Sequence, residues 1–128
     1  MQTNALLLGR FHAVTRGQAD WMAALSQAPI DRIICVVTSA NHAGTRRNPL
    51  EVAVRESMLR PALARSSKSF ALVRVDDIPE SGRWVEHVVE EVRRQLGVSL
   101  DATNTTVYSA NRDVDALFRS RDFTVVAQ

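Results

Sequence analysis

The order of elements along this chain predicts an α/β fold: a doubly wound, Rossmann-like parallel sheet of five strands with helices on both faces. Three observations carry the prediction. Five short apolar or β-branched runs occur at Ala5–Leu8, Arg32–Thr38, Phe70–Val75, Thr105–Ser109 and Thr124–Ala127, with the continuous hydrophobicity of strands buried on both sides. Helical patterns fill the gaps between them, at Gly17–Gln27, Pro49–Arg65, Trp84–Leu96 and Asp113–Arg121. The length of 128 residues suits one such domain, 1–128, and not two.

In the first unit, Ala19, Trp21, Met22 and Leu25 recur at helical spacing after the strand, which makes Trp21 a core residue. The second strand contains the single cysteine, Cys35, read as a small buried hydrophobe because it has no partner for a disulfide or a zinc site. Pro49 is a plausible first position of the second helix, with Glu51 and Glu56 near its positive end and Val52, Leu59 and Leu63 facing the sheet. Gly97 ends the third helix as a C-cap. Leu6, Leu7, Ile34, Val36, Leu72, Val73 and Val107 form the middle of the sheet in this reading.

Composition excludes several classes. Sixteen basic and fourteen acidic residues leave a net charge of +2, too little for nucleic-acid binding by bulk electrostatics. No stretch has the length of a membrane span or the layout of a signal peptide, so the expectation is a cytoplasmic protein with no membrane partner. A homo-oligomer is compatible with this reading.

In a parallel sheet of this kind, ligands sit at the carboxyl ends of the strands. That rule selects Gly9–Gln18, Ser39–Arg47, Asp76–Trp84 and Ser109–Arg112 as a rim. The first segment, G-R-F-H-A-V-T-R-G-Q, joins a strand to a helix and so aims backbone N–H groups and a positive helix end at the ligand space, as suits a polyanion. Gly9 and Gly17 allow close backbone approach, and Arg10 and Arg16 add charge. Arg46 and Arg47 suit either phosphate or solvent. Trp84 is either a staple onto the core or a flat face for a ring, and His87 one turn later reads as a surface residue. Asp113 needs no role beyond a helix start.

These segments carry a resemblance. Gly9-Arg10-Phe11 followed by Gly17 resembles the loop G-R-F-Q-P-F-H-x-G-H of the cytidylyltransferase-like nucleotidyltransferases, and within them the archaeal type of nicotinamide mononucleotide (NMN) adenylyltransferase. Ser39, Ala40, Asn48, Pro49 and Arg55 match the family's G-S-A-Q and N-P-F-x-x-x-E-R. Asp77, Ile78, Trp84 and Val85 match D-I-x-x-N-x-x-W-V, and Val107-Tyr108-Ser109-Ala110-Asn111 with Val114, Leu117 and Phe118 matches V-Y-S-G-N-x-x-V-x-x-L-F.

The resemblance implies an enzyme that joins NMN and ATP into NAD and pyrophosphate, with Mg2+ carried on the ATP and no metal ligand on the protein. It assigns catalytic positions to Thr15, Gln18 and Arg55. It assigns substrate contacts to Gly9, Arg10, Phe11, Gly17, Ser39, Ser81, Trp84, Tyr108, Ser109 and Asn111, with the nicotinamide stacked on Trp84. The departures are informative. Thr15 and Gln18 stand where the family has histidines, Val54 replaces a Glu, Ser81 an Asn and Ala110 a Gly. A Ser/Thr-rich, Arg-ending motif that follows the fifth strand in the family has no counterpart here. Catalysis is therefore expected to be weakened or lost, with His12 a candidate to supply part of the missing charge. The alternative is a non-catalytic nucleotide-binding sensor, or an accessory domain to another enzyme of NAD metabolism such as a Nudix hydrolase.

Overall fold

In a computed structural model, described over residues 2–127, all five strands are parallel and lie in the order β3-β2-β1-β4-β5. They are β1 (Asn4–Gly9), β2 (Arg32–Val37), β3 (Ser69–Arg74), β4 (Thr105–Ser109) and β5 (Thr124–Ala127). The helices are α1 (Arg16–Ala24), α2 (Val52–Ala64), α3 (Trp84–Leu96) and α4 (Arg112–Arg119). The register runs Leu6 beside Ile34 on one side and beside Val107 on the other. Strand order reverses between β1 and β4, and the crevice of a doubly wound sheet opens at such a reversal.

The sheet separates two apolar layers. One face carries Leu6, Ile34, Val36, Val73 and Val107 against α3 and α4, through Val85, Val88, Val92 and Phe118. The other carries Ala5, Leu7, Ile33, Cys35 and Val37 against α1 and α2, through Met22, Leu59 and Leu63. Each fully buried Leu, Ile or Val contributes roughly 1.5–3 kcal/mol, so the central strands hold most of the domain's stability. Leu6, Leu7, Ile34, Val36 and Val107 lie on the three inner strands as expected, whereas Leu72 and Val73 fall on the edge strand β3. All are buried except Leu72, half-covered on the edge strand β3. No helix among the described residues is long and apolar enough to cross a membrane.

Two helices differ from the expected spans for visible reasons. Pro49 does not open α2, because the backbone before it is engaged in a loop. Gly44 N–H donates to the Pro49 carbonyl at 3.3 Å, Thr45 N–H to the Asn48 carbonyl at 3.2 Å, and Leu50 N–H to the His12 ring at 3.3 Å. The helix therefore starts at Val52, with Glu51 at its cap position making no side-chain cap. Glu56 is a turn further on and pairs with Arg74 at the end of β3, at 2.6 Å, rather than with the helix end. Pro61 sits within α2 on its exposed side, and the helix continues through it. The first helix tightens into a 3-10 turn at Leu25–Gln27. Gly97 ends α3 at φ 71°, the left-handed cap that glycine adopts without steric cost.

Candidate functional site

The four rim segments converge on one cleft of about 1240 Å3 above the carboxyl ends of the strands. The β1–α1 loop forms its floor. Phe11 turns the chain at φ 56° and lays its ring over Gly9, where a Cβ would lie 2.9 Å from the ring. Packing of the Phe11 ring therefore suffices to require a glycine at position 9, which also lines the cleft. Gly17 has open space, with only Thr15 Oγ1 at 4.0 Å from where a Cβ would sit.

Thr15 caps α1. Its Oγ1 accepts from Gln18 N–H at 3.1 Å, and Gln18 Oε1 accepts from Thr15 N–H at 3.0 Å, a reciprocal capping box. Both side chains line the cleft. With those acceptor roles filled, the Thr15 hydroxyl and the Gln18 Nε2 group remain as donors aimed from a helix N-terminus. Neither carries charge.

The β2–α2 loop forms one wall. Ser39 is buried at φ 51°, and its hydroxyl donates to both carboxylate oxygens of Asp77, at 2.9 and 3.0 Å. His42 Nε2 lies 3.1 Å from Asp77 Oδ2. Arg47 lines the cleft, while Arg46 does not.

Arg55 lies beneath this wall with no exposed surface. Its Nη1 donates to the carbonyls of Arg10 at 3.1 Å and Thr38 at 2.8 Å, and its Nη2 to those of Ser39 at 2.9 Å and His42 at 3.3 Å. One guanidinium therefore joins the loops after β1 and β2, including the carbonyl of Ser39 and the one just before Phe11, both residues at positive φ. Burial lowers the Arg55 pKa, as does Arg10, while Asp77 and Glu56 act in the opposite sense. Arg55, to which the resemblance assigns a catalytic position, is outside the cleft lining.

The third wall carries Asp77, Ile78, Ser81 and Trp84. Trp84 packs on the α3 core layer and also lines the cleft. Its ring lies 5.7 Å from that of His87, which is half-buried and bonds the Asp76 carbonyl at 3.1 Å. The fourth wall is Ser109, Ala110 and Asn111. Asn111 Oδ1 caps α4 by accepting from Asp113 and Val114 at 3.0 and 3.2 Å, and Ser109 Oγ accepts from Asn111 N–H at 3.1 Å. Asn111 keeps its amide nitrogen as a donor.

Tyr108, expected to touch substrate, does not line the cleft. Side chains alternate along a strand, so Ser109 and Tyr108 face opposite ways. Tyr108 packs with the α1 layer, 5.5 Å from Trp21, and burial raises its pKa. Trp21 in turn reaches the cleft and is not purely core. His12 bridges two loops, with Nε2 3.2 Å from Asn48 Oδ1 and Nδ1 3.3 Å from Leu50 N, and it is not among the residues lining the cleft. The sequence reading passed over His42 and Trp21 as cleft residues. His42's one signal was its place inside a rim segment.

Fold and cleft together define a doubly wound α/β domain with a ligand-sized cleft at the carboxyl ends of its strands. The chain is 29% identical over 127 residues to the nicotinamide-nucleotide adenylyltransferase of Pyrococcus furiosus, covering 96% of this chain and 62% of that protein. It is 28% identical over 130 residues to the Thermococcus onnurineus enzyme of the same name, covering all of this chain and 64% of that one. The chain thus spans just under two thirds of the length of these curated relatives, and the resemblance seen in its motifs is to the archaeal type. No family model matches it. Among solved structures, a bifunctional NMN adenylyltransferase/ADP ribose pyrophosphatase from Francisella tularensis, complexed with AMP and a Mn ion, superposes with a TM-score of 0.73 at 14% identity, over 98% of this chain and 37% of that one. A NadR protein in complex with NAD and AMP-PNP gives 0.66 at 16% identity, over all of this chain and 38% of that one.

Proposed function

We propose that this chain binds NMN and ATP in the rim cleft and joins them to NAD and pyrophosphate, with catalysis weakened by its uncharged pair at Thr15 and Gln18. The observation that carries the reading is the convergence of Trp84, the Thr15–Gln18 helix start and the Ser109–Asn111 turn on one cleft. An apolar ring face lies on one side, amide and hydroxyl donors on the other, and a positive helix end between them.

The chemistry asks for no protein nucleophile. An NMN phosphate oxygen attacks the α-phosphorus of ATP in line, forming a new P–O bond as the bond to the departing pyrophosphate breaks. The protein's part is positioning and stabilisation of the charge that builds on the leaving group. Arg10, Arg47 and the α1 N-terminus supply positive potential, and Thr15 and Gln18 supply neutral donors. Arg55 acts indirectly, by fixing the two loops. The divalent ion, Mg2+ in this proposal, arrives on the triphosphate. The relatives' name, nicotinamide-nucleotide adenylyltransferase, supports a nicotinamide nucleotide and an adenylyl donor as the two substrates.

A steady-state assay of NAD formation, paired with calorimetric titration of NMN, NAD and ATP, tests the proposal. Nucleotide binding with slow turnover supports it. Absence of binding by all three overturns it.

A further inference from the structure

We infer that His42 is the imidazole this chain presents to the phosphates of its nucleotide, an inference that rests on the nucleotide-binding reading above. The chain has three histidines. His12 has both ring nitrogens engaged between loops, and His87 bonds the Asp76 carbonyl outside the lining. His42 alone of the three lines the cleft, with its side chain 44% exposed.

The ring is held from several directions. Its Nε2 lies 3.1 Å from Asp77 Oδ2. Asp77 is itself fixed by the Ser39 hydroxyl at 2.9 and 3.0 Å, and its N–H donates to Asn41 Oδ1 at 3.1 Å. The His42 backbone is fixed too, since its N–H donates to the Ser39 carbonyl at 3.1 Å and its carbonyl accepts from Arg55 at 3.3 Å. A carboxylate that accepts from Nε2 sets the ring's orientation and leaves Nδ1 as the atom free to meet a ligand. When the ring is protonated, Nδ1–H is an aimed, charge-assisted donor.

The pairing also answers a difficulty. A bare Asp77 carboxylate in a phosphate cleft would repel the ligand, and a protonated His42 cancels that charge. The pair thus contributes one directed donor and little net charge, so its effect is closer to tenfold than to a thousandfold. The charged groups around the ring are Asp77 from the loop after β3, Arg55 from α2 beneath, and Arg10 and Arg47 on the cleft wall. The ligand class is the diphosphate part of a nucleoside triphosphate, or free pyrophosphate.

Calorimetric titration of inorganic pyrophosphate and of ATP into the wild type, His42→Gln and His42→Lys, from about pH 5.5 to about pH 8, tests the inference, since this window spans ordinary imidazole titration. Comparing variants at each pH cancels the ligand's own titration. His42→Gln is expected to bind pyrophosphate about tenfold more weakly than the wild type, with the gap largest at the acid end of the range, where imidazoles in general are cationic. His42→Lys is expected to restore affinity and to keep it across the range. Equal affinity of folded His42→Gln and wild type at every pH overturns the role of His42 while leaving ATP binding, and so the nucleotide reading, standing. Failure of the wild type to bind ATP overturns both.

Discussion

Thr15 and Gln18 cap each other: the hydroxyl oxygen of one accepts the backbone N–H of the other at 3.1 Å, and the side-chain carbonyl returns the bond at 3.0 Å. The two positions where the family carries histidines are therefore a working helix start. Such a cap is worth about 1 kcal/mol to the helix. It fixes the remaining donors in place but gives them no charge.

Turnover of NMN and ATP is expected to be at least ~100-fold slower than in an intact relative, the scale of losing one preorganised donor from a developing charge. Thr15→His with Gln18→His should raise the rate of NAD formation while lowering thermal stability through loss of the cap. A wild-type rate equal to the relative's in the same assay would show that neutral donors suffice.

Trp84→Ala should weaken NMN or NAD binding about tenfold, if ring stacking contributes ~1.4 kcal/mol. Quenching of indole fluorescence offers a direct reading, but Trp21 also reaches the cleft. The titration is therefore best made in a Trp21→Phe background, where only Trp84 reports. Unchanged affinity in the Ala variant would place the ring elsewhere.

Arg55→Met removes four hydrogen bonds to carbonyls at a site without solvent. The expected loss is at least ~3 kcal/mol in urea unfolding, since the carbonyls of two loops lose their partner where water has little access. Arg55→Lys should recover part of it, because an ammonium cannot span four carbonyls as the planar fork does. A variant as stable as the wild type would mean that the loops hold themselves.

Gly9→Ala places a methyl 2.9 Å from the Phe11 ring and should cost about 1–3 kcal/mol as the ring is displaced. Gly17→Ala, with open space around it, should cost little. Thermal melts of the two variants, side by side, separate a packing glycine from an unconstrained one.

The sheet was legible because it rests on composition: runs such as Ile33–Val37 read as buried strands whatever their neighbours do. The rim was legible too, since strand ends follow from strand positions. What escaped depends on where a side chain turns. Arg55 stands at a motif position shared with enzymes, and nothing in its spacing tells a phosphate ligand from a bolt between two loops. Tyr108 was placed by a motif, whereas strand alternation puts it on the face opposite Ser109. Pro49 had the right chemistry for a helix start but lay in a loop whose bonds to Gly44 and His12 are long-range or irregular, and local rules do not see them.

The Arg55 clamp holds its loops by their carbonyls, and every amino acid offers the same carbonyl. The course of these loops is therefore decoupled from the identity of most residues along them. Side chains that face the ligand can be exchanged one at a time without redrawing the path of the backbone that carries them. A change at Thr15 or at His42 is therefore expected to leave the walls of the cleft unmoved. What the cleft recognises can then be altered by changes at its surface alone, while the course of the two loops that shape it is held by one buried cation.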